Sequence, residues 1–381
     1  MKFPAIDGLR RVVGNVVTDL SEARTPTVDV ALLGPRGSGK TSLIAAMYSQ
    51  LEPAARQAAL QLRVDTMSEV KLNDMCERLL RCANGSVVPD NAVPGTMSAQ
   101  RYHFTLVETR VGGAHVPALR FDFVDFPGDW IEFSRMRSAR DGSPESGRDE
   151  GTVPFDFESD EDERENRQLA IEALCGASII IIAVDAPYLM DGVKRIGYAP
   201  HRLHYDRNRP DLIEGVLRES LGLAIRPRLV LLVPVRGEKW ALTGGGRVAM
   251  TEATKAGYSG VLNFLASGNL SEWVTVVVTP VMTTGCLVFD GWIESETDPL
   301  PRPSFAVSSP GGFEPAFCDQ PIYHMLRFAA EEYRRQRRSS FGQALKYLAD
   351  NDTMIHRSSA IFADKCLERD GFQILQRGTL R

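Results

Sequence analysis

The sequence predicts an α/β fold with a doubly wound, mostly parallel β-sheet and a helical C-terminal extension. Three strongly apolar runs predict buried strands: Val28–Leu33, Ile179–Val184 and Leu229–Val235. Segments with helical periodicity separate these runs, and this alternation is typical of βαβ units. A chain of 381 residues, 43% of them hydrophobic, is long enough to bury the core that such a fold needs.

The predicted elements follow in chain order, beginning with an apolar stripe at helical spacing over residues 7–22. After the first strand we expect helices at 39–51 and 54–82, a loop at 82–97, β-strands at 101–111 and 118–125, helices at 167–175, 211–223 and 251–268, a strand at 274–279 and helix from 321 onward. These elements divide the chain into an N-terminal helical extension at 1–25, a main domain at 26–337 and a helical tail at 338–381.

One segment inside the main domain is strongly acidic. Residues 141–167 hold eleven acidic residues against three arginines and carry few apolar side chains. Such a composition cannot bury enough apolar surface to order itself. The sequence therefore predicts a solvated insertion at about 131–166.

Composition also excludes several classes of protein. The net charge of −5 gives no footprint for nucleic-acid binding. The longest uncharged run, residues 273–289, contains Pro280, Gly285 and four threonines, so it predicts a strand and a loop rather than a membrane span. The N-terminus lacks the apolar core of a secretory signal, and the six cysteines form no CxxC pair. We expect a cytoplasmic protein with reduced thiols.

The most specific motif follows the first buried strand. Its residues fit GxxxxGK[ST] at every fixed position, between a strand and a helix: Gly34, Pro35, Arg36, Gly37, Ser38, Gly39, Lys40, Thr41 and Ser42. Glycines let backbone N–H groups converge on phosphate oxygens, and the helix N-terminus favours negative charge. Lys40 is expected to reach the β- and γ-phosphates, and the Thr41 hydroxyl to bind Mg²⁺. This motif predicts the P-loop NTPase version of the fold.

A second motif supplies the carboxylate for the metal. The strand at 118–125 ends in Asp125, the position where P-loop NTPases place a Mg²⁺-orienting aspartate. Gly128 completes a DxxG loop whose backbone N–H can bond the γ-phosphate. Asp122 alternates with apolar neighbours, so we expect it on the opposite face or in solvent.

Together these motifs resemble the translation-factor-like (TRAFAC) class of GTPases. The resemblance implies a switch threonine in the loop before the first of the two adjacent strands, where Thr96 is the candidate for a second Mg²⁺ ligand. A threonine that caps a turn is nearly as good an interpretation of Thr96. The resemblance also implies a water-orienting residue after DxxG, and Asp129 occupies that position.

The class carries an [NT]KxD loop that binds the base, and here the third buried strand continues into Arg236-Gly237-Glu238. Arg236 and Glu238 stand at the Lys and Asp positions. An arginine can stack on a purine and a glutamate can accept hydrogen bonds from guanine. Guanine is therefore the favoured base, while ATP remains open. An ordinary loop with a surface ion pair is an equally good interpretation.

Further motifs narrow the resemblance: DFPGDW at 125–130, VDAPYLM at 184–190, PVRGEKW at 234–240, TPVMTTG at 279–285 and CDQP at 318–321. They are similar to the bacterial double-GTPase (DO-GTPase) family and, more distantly, to YcjX-like GTPases. The resemblance covers about residues 26–337. It implies action with protein partners, among them a second GTPase.

The leading hypothesis is thus a Mg²⁺-dependent GTP-binding switch that hydrolyses GTP, with Lys40, Thr96 and Asp129 as its catalytic residues. No residue is placed as a certain arginine finger, so turnover without a partner should be slow. Two alternatives remain at this point. The chain could be an ATPase or phosphotransferase with the same loop, or a scaffold that binds nucleotide without hydrolysing it.

Overall fold

A computed structural model describes residues 25–84, 98–109, 114–128, 130, 157–191, 200–222, 226–294, 300–308, 312–338 and 352–379. The helix predicted over 7–22 lies outside the described residues, as does the part of the acidic insertion at 131–156.

Strands of the described residues form one large sheet and one hairpin. They are β1 Thr27–Leu33, β2 Leu60–Val64, β3 Gln100–Thr109, β4 His115–Asp125, β5 Ile179–Asp185, β6 Arg228–Val235, β7 Val274–Val278, β8 Leu287–Ile293, β9 Arg302–Val307 and β10 Gln373–Gln376. The large sheet has eight strands in the order β10-β7-β6-β5-β1-β4-β3-β2, and β8 pairs with β9. Pairing is parallel from β7 to β4 and antiparallel for β10–β7, β4–β3 and β3–β2. The predicted α/β architecture with a mostly parallel sheet is confirmed.

Helices connect these strands. They are α1 Lys40–Gln57, α2 Thr66–Ala83, α3 Phe157–Gly176, α4 Ala186–Met190, α5 Pro200–Asn208, α6 Pro210–Leu221, α7 Glu238–Ala241, α8 Gly244–Gly257, α9 Ser259–Leu265, α10 Leu270–Trp273, α11 Asp319–Arg338 and α12 Asp352–Lys365.

Two apolar cores lie on opposite faces of the sheet. Side chains of a strand point alternately to its two faces, so neighbouring residues of β1 enter different cores. Leu32 packs in one core with Leu43 of α1, whereas Leu33 packs in the other with Leu217 of α6. Because both faces are covered by helices, the central strands can be apolar throughout.

The prediction of one helix over residues 54–82 is wrong. α1 ends at Gln57, β2 occupies Leu60–Val64, and α2 begins only at Thr66. The turn passes through Ala59, whose φ is 57°. β2 then pairs antiparallel with β3, from Leu60 opposite Glu108 to Val64 opposite Phe104. Pairing with a distant strand thus overrides the local helical preference.

The prediction of a helical tail over residues 338–381 is only partly correct, because this segment also contains the strand β10. After α12, β10 pairs antiparallel with β7 and forms one edge of the large sheet. The side chain of Phe372 is 2% exposed, and its ring contacts that of Phe317 at 5.5 Å between centroids. These C-terminal residues therefore pack on the same body as the P-loop motif.

The acidic segment is partly helical. α3 begins at Phe157, so the last ten residues of the predicted insertion, 157–166, lie in a helix rather than in a solvated loop. At Arg167 the same helix forms an ion pair with Glu219 of α6, with N and O 2.6 Å apart. The predicted helix near 167–175 is thus correct in type but begins too late.

The six cysteines are free thiols. No disulfide joins the six cysteines, all of which lie in the described part of the chain. Burial raises the pKa of the Cys76 thiol to about 11 and that of Cys366 to about 12, so both stay protonated at neutral pH. Among the helices of the described residues, none has the length and apolar character to cross a bilayer.

Candidate functional site

The candidate site lies at the carboxyl edge of the sheet, beside β1. In sequence the chain passes from β1 through β2 and β3 to β4 on one side, and then crosses to β5 on the other. The strand order therefore reverses at β1, which leaves a crevice outside the carboxyl ends of its neighbours. In open α/β sheets this switch point is where ligands bind.

The turn after β1 leads directly into α1. Gly39 is the N-cap of this helix and has a φ of 92°, a left-handed conformation that favours glycine. A Cβ on Gly39 would lie 3.2 Å from Cγ2 of Val235, so β6 also restricts this position. No side chain caps the helix and its first turn holds no acidic residue. The helix therefore has no acidic residue of its own at its N-terminus, where its dipole favours negative charge.

Lys40 is the first residue of α1, and its side chain folds back along the turn. Its Nζ donates hydrogen bonds to the carbonyl oxygens of Gly34 at 2.6 Å and Pro35 at 3.0 Å. The side chain is only 6% exposed. These bonds hold the ammonium group against the loop backbone, the place from which it could meet an anion bound by the loop.

Thr41 and Asp125, two of the residues expected to bind the metal, are in contact with each other. The Thr41 hydroxyl donates to Oδ2 of Asp125 at 3.0 Å, although the two residues are 84 apart in sequence. The Asp125 carboxylate is fully buried at the end of β4, next to β1. Burial and, to a smaller extent, the Asp125 charge raise the pKa of the Tyr102 phenol, which therefore stays neutral.

Asp122 is directed elsewhere, as its alternation predicts. Its Oδ1 accepts a hydrogen bond from Nε of Arg120 at 2.7 Å and lies 2.7 Å from Nδ1 of His103. The same carboxylate pairs with neighbours on β3 and β4. Asp125 is thus the one of these two aspartates that contacts Thr41.

Gly128 lies against the turn after β1. A Cβ on Gly128 would lie 2.0 Å from the backbone nitrogen of Arg36 and 2.4 Å from the carbonyl carbon of Pro35. No other residue type fits without separating the two loops. The backbone at Gly128 therefore packs directly against the turn after β1.

The remaining predicted phosphate-side residues differ in how far the structure describes them. In the turn, Arg36 and Gly37 are exposed and Ser38 is buried, while Ser42 is half-buried in α1. Thr96 and Asp129 lie outside the described residues, so their roles in metal binding and catalysis stay predictions.

Arg236 follows β6 and is held by an ion pair. Its Nε donates to Oδ1 of Asp185 at 3.1 Å, and its Nη2 donates to Oδ2 of the same carboxylate. Asp185 ends the neighbouring strand β5, and its side chain is 3% exposed. Arg236 thus lies beside the crevice with its charge compensated by a buried carboxylate.

Glu238 is buried beneath the loop that follows β7. Its Oε1 accepts hydrogen bonds from the hydroxyls of Thr283 at 3.3 Å and Thr284 at 3.0 Å, and from the backbone N–H groups of Thr284 at 2.8 Å and Gly285 at 3.4 Å. The residue is 1% exposed. In this conformation Glu238 connects the ends of β6 and β7 and does not face solvent.

Sequence reasoning missed Asp185. The signal was present, because Asp185 ends an apolar strand just as Asp125 does. The hairpin β8–β9 was also missed, although its aromatic residues lie close to the same edge: Arg236 Cζ is 5.3 Å from the ring centroid of Phe305. No local motif marks this contact, because it joins residues far apart in the chain.

The donor set suits Mg²⁺ better than a transition metal. A hydroxyl and a carboxylate are hard oxygen ligands, which Mg²⁺ prefers. Within the ranges that the structure describes, no group of three or more His, Cys, Asp or Glu is placed to hold a metal ion. A Mg²⁺ ion held by Thr41 and Asp125 would need further ligands, for which phosphate, water and the predicted Thr96 are the candidates.

Comparison with protein-family models and with curated proteins gives no match for this chain. The geometry of the site and the motifs in the sequence are therefore what a functional assignment rests on.

Proposed function

We propose that this protein is a Mg²⁺-dependent nucleoside-triphosphate switch that binds and hydrolyses GTP. The observation that carries the proposal is the contact of 3.0 Å between Thr41 and Asp125, next to Lys40 at the reversal of strand order. A lysine, a hydroxyl and a carboxylate converge there from two elements that the sequence motifs had each predicted separately. The antiparallel pair β3–β4 beside β1 also fits the suggested TRAFAC class.

The phosphate groups would lie over the Gly34–Lys40 turn. Backbone N–H groups of the turn and of the α1 N-terminus would donate to them, and Lys40 would exchange its carbonyl acceptors for phosphate oxygens. A bound Mg²⁺ ion supplies charge that offsets the negative charge developing during phosphoryl transfer. Thr41 and Asp125 would orient that ion, and the Gly128 backbone would border the γ-phosphate.

The direction of the nucleotide follows from the metal position. Asp125 would hold the ion and the Gly128 backbone would border the γ-phosphate, so the γ end belongs on the β4 side. The nucleoside must then extend toward β6, where Arg236 and Glu238 lie. This direction is consistent with the proposal that Arg236 and Glu238 bind the base.

Glu238 gives the reason for preferring guanine. Its Oε1 accepts from the Thr283–Gly285 segment, whereas its Oε2 is buried with no hydrogen-bond partner among the described residues. A buried acceptor without a donor is costly, so it points to a donor that a ligand brings. Guanine offers N1–H and N2–H donors at its edge, and adenine offers neither of them there. A displacement of the Thr283–Gly285 segment would let Oε2 of Glu238 accept from guanine.

The proposal is tested first by binding. We expect the purified full chain to bind GTP at least tenfold more tightly than ATP, with both affinities strengthened by Mg²⁺. Phosphate release measured over hours should be slow, because catalysis is expected to need a partner protein. Equal affinity for GTP and ATP would remove the guanine assignment, and binding without any phosphate release would favour the scaffold alternative. Absence of nucleotide binding would overturn the proposal.

A further inference from the structure

The backbone of Arg236 is unusual. Its φ is 55°, a left-handed value that residues other than glycine seldom adopt. Such conformations persist where the surroundings fix them, and they concentrate at ligand sites. The left-handed turn follows directly after β6, and the side chain lies against Asp185 at the end of β5.

The backbone of Asp185, the ion-pair partner of Arg236, is held by a buried side chain. The backbone N–H of Asp185 donates to Oδ1 of Asn208 at 2.8 Å, and Nδ2 of Asn208 donates to the Asp185 carbonyl at 3.1 Å. Asn208 is fully buried. Both carboxylate oxygens of Asp185 then accept from Arg236, a two-point contact that sets the plane of the guanidinium group.

The stem of Arg236 runs past the P-loop. Its Cγ and Cδ lie 3.7 and 3.9 Å from the position that a Cβ on Gly39 would take. The guanidinium carbon is 5.3 Å from the ring centroid of Phe305 in the hairpin β8–β9. The side chain nevertheless remains 23% exposed, so part of it is open to a ligand.

We propose that Asp185 is a positioning residue that holds Arg236 as a flat platform for the nucleobase. This inference rests on the proposed nucleotide site. A guanidinium group without such a partner would be drawn to the triphosphate, since it binds phosphate strongly. Pairing with Asp185 compensates its charge and leaves a planar surface on which an aromatic ring can stack. Stacking does not depend on the edge of the base, so the platform serves guanine and adenine alike.

The test compares nucleotides with inorganic tripolyphosphate, which has the phosphates and no base. In the variant Asp185→Asn we expect the affinity advantage of GTP over tripolyphosphate to fall about tenfold, within the range that one stacked base contributes. The advantage of ATP should fall by the same factor. Affinity for tripolyphosphate itself should stay equal or become tighter, because the guanidinium charge is released.

Asp191→Asn is the matched control. It removes a carboxylate from a neighbouring exposed ion pair, in which Nζ of Lys239 and Oδ2 of Asp191 are 3.2 Å apart. We expect it to leave every affinity unchanged. Arg236→Lys keeps the charge and loses the planar group, so it should reduce the affinity advantage of GTP over tripolyphosphate as Asp185→Asn does. The double variant should lose no more of this advantage than either single variant.

Each outcome separates this inference from the proposed function. The platform would be overturned if Asp185→Asn left the ratio of GTP affinity to tripolyphosphate affinity unchanged. An equal loss of affinity for both ligands would be such a result. A wild-type protein that binds GTP no more tightly than tripolyphosphate would overturn the platform and leave the phosphate site standing. A wild-type protein that binds neither ligand would overturn the proposed function itself.

Discussion

The phosphate side and the base side of the candidate site are built in different ways. On the phosphate side the charged groups contact the motif itself: Lys40 bonds to carbonyls of its own turn, and Thr41 bonds to Asp125. On the base side Arg236 is held by β5, and Glu238 is held by the loop after β7.

The two sides therefore differ in which contacts must change when a ligand binds. On the proposed phosphate side, a bound phosphate would have to replace the carbonyl oxygens that now accept from the Lys40 ammonium group. On the base side the Asp185 carboxylate already holds Arg236, whereas Glu238 is held by the Thr283–Gly285 loop, which must move for Oε2 to meet a base. We therefore expect the loss of Lys40 to weaken binding of every nucleotide, and substitutions on the base side to change mainly the selectivity of binding.

The largest effect should come from Lys40→Ala. The change removes the cation of the turn, and we expect nucleotide affinity to fall about a hundredfold or more, from the loss of strong charged hydrogen bonds. The fold should persist, because the apolar face of α1, with Leu43 and Ile44, is untouched. Titration calorimetry and a thermal melt measure the two quantities.

Arg56→Ala is the control for Lys40→Ala. It removes a cation from the same helix, where Arg56 pairs with Glu52 on the surface. Affinity of Arg56→Ala should match the wild type. Wild-type affinity in Lys40→Ala would show that the turn does not bind phosphate.

A second substitution, Glu238→Gln, tests whether Glu238 on the base side contacts guanine. The amide can keep one oxygen on the Thr283–Gly285 segment, but it places a donor where Oε2 would accept from guanine. GTP affinity should fall by about 1.5–3 kcal/mol, the worth of a hydrogen bond to a charged group, while ATP affinity changes little. Affinity for XTP should rise, because the amide can donate to its 2-oxo group. Equal losses for GTP and ATP would mean that Glu238 positions the loop without contacting the base.

Gly128→Ala tests the close approach of the two loops on the phosphate side. The added Cβ would lie 2.0 Å from the Arg36 backbone nitrogen, so the loops must separate. We expect a loss of about 1–3 kcal/mol in the free energy of unfolding, typical of overpacking, together with weaker GTP binding. Denaturant titration measures the first of these changes.

Gly215→Ala is the matched glycine variant. A Cβ there meets nothing within 4 Å, and the position lies inside α6. Alanine should stabilise this helix by about 0.5–1 kcal/mol. If Gly128→Ala were equally well tolerated, the contact between the loops would not constrain the site.

The smallest effect is expected from Asp125→Asn. The variant keeps the shape of the side chain and removes the charge that orients Mg²⁺, so binding of GTP in the presence of Mg²⁺ should weaken about tenfold. Binding measured with a chelator should stay unchanged. Asp122→Asn, on the same strand but bonded to Arg120, provides the control. Equal losses with and without Mg²⁺ would make Asp125 a structural residue only.

Prediction from sequence succeeded where a pattern is local. The strand β1, the turn at Gly34–Lys40 and the start of α1 are contiguous, so their residue types fix the backbone directly. The helix expected over 54–82 failed because β2 is stabilised by β3, a strand about forty residues away. The pairing of β10 with β7 went unpredicted for the same reason.

Three features follow from the amino-acid sequence alone: the alternation of apolar strands and helices, the GxxxxGK[ST] motif, and Asp125 as the carboxylate at the tip of a strand. These follow from side-chain periodicity and from backbone preferences that act within a few residues. Three other features become visible only in the tertiary structure. Asp185 holds Arg236, Glu238 is buried under the Thr283–Gly285 loop, and the C-terminal strand forms one edge of the sheet. Those contacts join distant segments, and the energy that selects them comes from burial and hydrogen bonding that exist only once the sheet has formed.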